Sequence, residues 1–392
     1  MVVTRVKAVD ALRGFSLFGI LMANLLIFQY GMYGKDMLEN LSSLDTVSYY
    51  SLKVIIEGSF MPIFTILFGF SLIKMIESIR AKGKKSRWAI IRRGIGLLTL
   101  GFLHSFFIWE GDILMFYGVM IFCLLIFINR KPKTLIIWAS ILFILTCALM
   151  YGGDMLTPGE KAEIEVYNIE QTKVYSEGSY GEIIDFRLNA EIPGMKDDGL
   201  YILIMLFVSP LLYAPLFLTG MAFAKWQLFE NLQAELKVYR LALVLVPLAL
   251  ALKVIGQFDH VLKDMALIAG QQILALGYVF LFMWIFTIKP TSKVMLAFES
   301  VGKLSLTNYL MQSVICTFVF YGYGLGLYGK MGVTLGIAFG LVVYILQCYV
   351  STAYLKRFHR GPVEILLRIW TNFSWNGKVK KKKIIGSQEE FV

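Results

Sequence analysis

Long apolar runs, separated by short polar segments, fill almost the whole chain. About ten runs of roughly 20 residues stand out, at 14–30, 52–78, 91–109, 112–129, 134–152, 200–224, 239–256, 265–288, 304–325 and 332–355. At ~1.5 Å per residue, a helix of that length crosses a hydrocarbon layer of about 30 Å. A membrane β-barrel would instead show ~10-residue strands alternating apolar and polar. The pattern predicts an all-α, polytopic membrane protein, with about ten transmembrane helices in one bundle over 1–355. A loop at 153–199 lies outside the membrane, either capping the mouth of the bundle or serving as a solvated connector. Residues 356–392 read as a basic tail with a short interfacial helix, because Gly361-Pro362 marks a break and a new helix start.

About ten spans put both termini on one side, and the basic residues indicate which. Segments 1–13, 80–93, 130–133, 225–240, 289–303 and 356–392 hold 28 of the 38 Lys and Arg, whereas 153–199 carries eleven acids and four bases. Basic segments stay in the cytoplasm. Both termini are therefore expected there, in a multi-pass protein of a bacterial cytoplasmic membrane. The first run, flanked by Arg5, Lys7 and Arg13, lacks a small-residue cleavage site and reads as a retained span.

Composition agrees. Hydrophobic residues make up 57% and charged residues 17%, against ~45–50% and ~25% in soluble domains. A soluble enzyme, a disordered chain and a disulfide scaffold are all excluded by that balance. The net charge of +11 is topogenic, with contacts to anionic lipid headgroups. No nucleic-acid partner is expected, since the Lys380–Lys383 run is short and poor in aromatics. The four cysteines, Cys123, Cys147, Cys316 and Cys348, sit inside apolar runs and read as small apolar residues.

A charge in mid-membrane costs ~2.5–3.5 kcal/mol on insertion scales, so polar residues inside spans need a partner, water or a task. Arg13, three residues after Asp10, either pairs with it or holds a phosphate or carboxylate at the membrane edge. Asn24 lies further along the same span. Glu57 follows Lys53 at pairing distance on a helix. The stretch from Arg92 and Arg93 to His104, Glu110 and Asp112 is the most informative, because His104 is the one histidine within a span. Asp112 suits the N-terminal cap of the next helix. His104, close in sequence to two carboxylates, either bonds a neighbouring helix or acts as base, relay or acyl acceptor. Its spacing fits no metal site. Ser305, Asn308 and Gln312 form a stripe down one helical face, which either lines a passage or knits helices together.

Taken in order, these clusters resemble the YeiB family of bacterial membrane proteins, a domain of unknown function numbered 418. The matching segments are Val9-Asp10-Ala11-Leu12-Arg13-Gly14 with Asn24, Glu57-Gly58 with Phe64 and Leu67-Phe68-Gly69, and His104 with Gly111-Asp112-Ile113-Leu114. Thr307-Asn308-Tyr309 with Gln312-Ser313, and Gly361-Pro362-Val363-Glu364 with Arg368, complete the set. Together they run from near residue 5 to near 372. The opening motif is similar to that of a wider group of membrane acyltransferases, the acyltransferase-3 proteins and heparan-α-glucosaminide N-acetyltransferase. That resemblance implies a bundle taking an acyl group from a cytoplasmic acyl-CoA to a hydroxyl or amine outside. It matches Arg13 to an arginine and Asn24 to an asparagine of that group. Its catalytic histidine near the outer end of span one has no counterpart, since Gln29, Tyr30 and Tyr33 stand there.

Two functions use the same residues. In an acyltransferase, Arg13, Arg92 and Arg93 hold the phosphates of an acyl-CoA donor. His104, oriented by Asp112 or Glu110, acts as base, and Asn24, Asn308 or Gln312 steadies the oxyanion. The acceptor is a glycan, lipid or envelope polymer. In a transporter or channel, Ser305, Asn308 and Gln312 line the path for a small solute, and Glu57, His104 and Asp112 relay protons. No metal is expected. The partners expected are membrane lipid and a small-molecule or glycan substrate, with a homo-oligomer left open.

Overall fold

The computed structural model describes residues 6–152, 158–193, 199–375 and 377, with only the helical path over 199–209. The Arg5 end of the basic N-terminus and the Lys380–Lys383 run lie outside the described residues. All regular elements among the described residues are helical. In chain order they are α1 (Lys7–Tyr30), α2 (Ser43–Ser51), α3 (Phe60–Arg80), α4 (Arg87–Phe107), α5 (Leu114–Leu124) and α6 (Pro132–Leu149). Then come α7 (Pro158–Glu177), α8 (Tyr180–Asn189), α9 (Gly199–Lys225), α10 (Leu236–Ala242) and α11 (Leu245–Ile255). The chain continues through α12 (Lys263–Ile288), α13 (Lys293–Lys303), α14 (Ser305–Phe320), α15 (Val333–Leu355) and α16 (Pro362–Asn372).

Each apolar run of the sequence contains a helix or a helix pair, although α5 covers only Leu114–Leu124 of the run 112–129. Seven segments among the described residues are long and apolar enough to cross a membrane, with Ser43–Arg80 counted as one; α5 and α14 are apolar but shorter. Helix α14 ends at Phe320, five residues before the predicted end, where Tyr321 turns extended and glycines follow. The segment Ser43–Arg80 is itself interrupted. A π-helical turn, Leu52–Ile56, leads into Glu57-Gly58-Ser59, where Gly58 takes a φ of +68°. That value favours glycine, because a Cβ there crowds the following carbonyl.

Helix α1 is the axis of the bundle, buried along most of its length against α3, α12, α13, α14 and α15. Small residues permit the closest approaches, as they do where lipid supplies no hydrophobic drive. A Cβ on Gly14 would overlap the Phe298 carbonyl, and one on Gly302 the Asp10 carbonyl. Gly69 and Gly220 bring α3 and α9 together in the same way, against the backbones of Phe217 and Ile66. Helix α13 lies in a segment that reads as a connector in sequence. It is amphipathic, and its apolar face closes on α1.

The two ends of the bundle differ in chemistry. Arg13, Lys82, Arg93, Lys303, Arg360 and Arg368 meet at one, here the basic end. At the other, α7 and α8 pack against the ends of α4 and α14. A capping box between Ser179 and Glu182 starts α8. Tyr180 donates to the Phe107 carbonyl at 2.7 Å, and the Gly322 N–H donates to the Tyr175 carbonyl at 2.8 Å. Arg187 reaches the Ile108 carbonyl at 3.3 Å and Glu110 at 2.9 Å. Burial disfavours the Arg187 charge, but Glu110 outweighs it and raises its proton affinity above the ordinary arginine value.

Candidate functional site

A cavity of about 400 Å³ opens from the basic end into the bundle. Its mouth is cationic, ringed by the six bases named above. Arg13 is offset by Asp10 at 2.9 Å and Lys303 by Glu299 at 2.6 Å. The one carboxylate on the wall, Glu364, is committed elsewhere. It accepts the Leu306 N–H at 2.7 Å, the Thr307 N–H at 3.1 Å and the Thr307 hydroxyl at 2.5 Å, and so caps α14 from α16. No ion pair or hydrogen bond engages the side chains of Arg93 or Lys82 among the described residues. Arg93 and Lys82, with no acid bound to them, leave the mouth suited to an anion. Beyond the mouth the wall turns apolar and aromatic, with Leu17, Ile20, Phe64, Phe68, Leu97 and Tyr117.

The helical period explains how two spans build this passage. On α1, residues 13, 17, 20 and 24 share one face; on α4, residues 93, 97, 101 and 104 do the same. Each stripe starts with an arginine at the mouth and ends, 11 residues or about 16 Å further on, at a polar residue, Asn24 or His104. Arg13, Leu17, Ile20, Arg93 and Leu97 line the cavity, so the two stripes face it from opposite helices. Asn24 is half-buried one turn past Ile20.

His104 and Asp112 form a buried pair beyond the far end. The imidazole Nδ1 lies 2.7 Å from Asp112 Oδ2, and both side chains are 1% exposed. Asp112 Oδ1 also accepts the Met115 N–H at 2.8 Å and caps α5. A carboxylate accepting the Nδ1 proton leaves the Nε2 lone pair as the basic site. His104 Nε2 is buried and has no hydrogen-bond partner in the structure. Gly101 makes room for this arrangement, since a Cβ there would meet Asp112 Oδ1 at 2.6 Å. Tyr309 lines the cavity and lies with its ring centroid 5.4 Å from that of His104. Its hydroxyl accepts the Ile113 N–H at 3.3 Å. Ile113 and Leu114, next to Asp112, reach the cavity too.

The structure thus brings together Arg13, Arg93 and Ser305 on the cavity wall, with His104 and Asp112 just behind it. The other predicted residues go elsewhere. Arg92, one position before Arg93 and so about 100° around the helix, donates to the Thr371 carbonyl at 2.9 Å and fastens α16. Glu110 serves α7 and α8, bonded to Arg187 and to the Tyr175 hydroxyl at 3.0 Å. Asn308 donates to Ser351 Oγ at 3.0 Å, and Gln312 to Gln347 Oε1 at 2.9 Å, so both clasp α14 to α15. Glu57 binds Lys35 at 2.5 Å and Lys53 at 2.9 Å in an ionic cluster with Asp36. Burial opposes the Asp36 charge, yet Lys35 and Lys53 hold its carboxyl below the usual range. Buried Lys253 completes that cluster, donating to the Glu57 carbonyl at 2.6 Å. Lys82, Lys303, Arg360, Arg368 and Tyr309 line the cavity without having been assigned to the site from sequence. Tyr309 and Arg368 stood in the quoted motifs, but the amide stripe beside Tyr309 drew attention to the other side of α14.

Among the described residues no group of three or more His, Cys, Asp or Glu side chains has the arrangement of a metal site. Fold and site define the class: an all-α, polytopic membrane protein with an internal cavity, cationic at its mouth and apolar along its walls, ending beside a buried His–Asp pair. The model of the family described as "Protein of unknown function (DUF418)" matches residues 223–374. The chain is 33% identical to the uncharacterized protein YxaH of Bacillus subtilis, over 97% of each chain. It is 25% identical to the uncharacterized protein YeiB of Escherichia coli K12, over 92% of this chain and 94% of the relative. An uncharacterized 39.9 kDa protein of Bacillus acidopullulyticus is 23% identical over 94% of each. The chain belongs to the YeiB family.

Proposed function

We propose that this protein is a membrane acyltransferase that takes its acyl group from an acyl-CoA donor. One observation carries the reading: Arg93 and His104 end a single α4 stripe about 16 Å apart, with an apolar cavity alongside it. A donor with phosphates at one end and a thioester at the other, joined by a pantetheine arm of comparable reach, matches that layout. The mouth holds the phosphates, through Arg13, Arg93 and Lys82, by charge-assisted hydrogen bonds. His104 Nε2 takes the proton of the acceptor hydroxyl or amine as its oxygen or nitrogen bonds the acyl carbon. The C–S bond then breaks, and the imidazolium returns a proton to the thiolate. Asp112 orients the imidazole and steadies its charge. With Asn308 and Gln312 tied to α15, Asn24 is the predicted oxyanion donor that remains on a cavity-facing stripe.

In this reading the basic end faces the cytoplasm, where acyl-CoA is found, and both termini lie there. The cap of α7 and α8 faces outward, over the side from which a glycan, lipid or envelope acceptor approaches. The membrane is the bacterial cytoplasmic membrane, crossed by each of the ten apolar runs.

Thiol release from an acyl-CoA by the purified protein tests the proposal. Arg93→Gln is expected to raise the half-saturating donor concentration about tenfold, the worth of one charge-assisted hydrogen bond. Protein that neither binds nor cleaves acyl-CoA would end this reading. Solute or proton flux in liposomes from the same preparation would establish the transporter alternative.

A further inference from the structure

A second cavity at the basic end shares no residue with the first. It is a groove of about 290 Å³ between the α3–α4 connection and the turn after α5. Arg80, Ser86, Arg87 and Asn129 form its polar wall, and Ile90, Leu125 and Ile126 its apolar wall. Arg80 donates to Asn129 Oδ1 at 2.9 Å, which fixes one guanidinium at the rim. Among the described residues Arg87 has no acid or hydrogen-bond partner. No Asp or Glu occurs in 80–93 or 125–133, which hold ten Lys and Arg, and Lys225 lies beside them. Lys225 Nζ pins the far wall, donating to the Ile128 carbonyl at 2.7 Å and the Arg130 carbonyl at 2.5 Å. The groove is therefore a held shape and not a gap between loose loops.

Its surroundings indicate the ligand. Ile126, in the turn after α5, is 69% exposed and Trp88, in the first turn of α4, 65% exposed, at the end where the bases gather. Tryptophan at such a level, beside apolar surface on one side and bases on the other, marks a membrane–water interface. A site with two arginines on one wall and branched aliphatic chains on the other suits a molecule that is anionic at one end and a hydrocarbon beyond it. We propose that this groove binds the headgroup of an anionic phospholipid, the phosphate between Arg80 and Arg87 and the acyl chains along Ile90, Leu125 and Ile126. A bound lipid would also brace the α3–α4 connection that carries Lys82 to the mouth of the first cavity. The proposal does not depend on the acyl-transfer reading.

The test uses the full-length protein in detergent, mixed with phosphatidylglycerol or phosphatidylcholine, and native mass spectrometry of the lipid retained. The wild type is expected to keep phosphatidylglycerol preferentially. An arginine near an anionic surface contributes about fivefold in binding, so R80Q/R87Q should lower that preference about 25-fold. Both side chains are exposed, so the variant is expected to remain monodisperse, and R80K/R87K should restore part of the binding. R13Q/R93Q should retain the lipid as the wild type does. The proposal fails if R80Q/R87Q keeps phosphatidylglycerol unchanged, or if R13Q/R93Q is the variant that loses it. It fails equally if millimolar glycerol phosphate displaces the lipid, since a soluble phosphate would then be the ligand.

Discussion

His104→Gln is expected to lower acyl transfer about 10²–10⁴-fold, the usual worth of a positioned general base. Glutamine is the informative replacement. His104 and Asp112 are each 1% exposed in their side chains, and deleting one member of a buried pair costs ~3–5 kcal/mol because the other charge is stranded. An amide can still donate to Asp112 Oδ2, while Oδ1 keeps its bond to the Met115 N–H. His104→Ala lacks that compensation and should lose stability as well as turnover. The measurement is thiol release under single-turnover conditions, paired with thermal unfolding in detergent. A stable glutamine variant that turns over like the wild type would leave the pair a structural clasp between α4 and α5. Donor affinity should change less than twofold, because the base touches neither phosphates nor arm.

Gly302→Val should be the most damaging single change to the fold. The backbones lie very close where α13 meets α1, and there the neighbour of Gly302 is the Asp10 backbone carbonyl. Ordinary overpacking costs ~1–3 kcal/mol because side chains move aside. A backbone carbonyl within a helix has no such freedom, so the helices themselves must part. Separation would also open the cavity wall, which Gly302 and Lys303 line. Gly14→Val meets the Phe298 carbonyl and should act alike. The yield of monodisperse protein after detergent extraction is expected to fall at least fivefold for either. Gly181→Ala is the comparison: nothing lies within 4 Å of a Cβ there, and alanine is the better helix former by ~1 kcal/mol. If Gly302→Val extracted as well as Gly181→Ala, close packing of α1 on α13 would not hold the bundle.

Some of the site was legible beforehand. His104 with Asp112, and Arg13 with Arg93, followed from the cost of placing polar groups in lipid. Arg92 and Arg93 could not be told apart that way. They are adjacent and chemically identical, yet one faces the cavity and the other grips α16. The amide stripe at 308 and 312 was visible, but its direction was not. The partners that fix it, Ser351 and Gln347, lie about 40 residues further on, in a helix whose rotation no local pattern states.

The amino-acid sequence alone determined the apolar helices, their approximate limits and the charge asymmetry of the two ends, but not α7, α8 or α13. Helical hydrogen bonds are local, and a backbone in lipid must satisfy them within its own segment, so apolar length is enough to define an element. The tertiary structure alone decided which polar side chains meet. Helix rotation, the approach of α13 to α1 and the docking of α7 and α8 come from contacts distant in the chain. Those contacts left His104 Nε2 without a partner and gave Asn308 and Gln312 theirs.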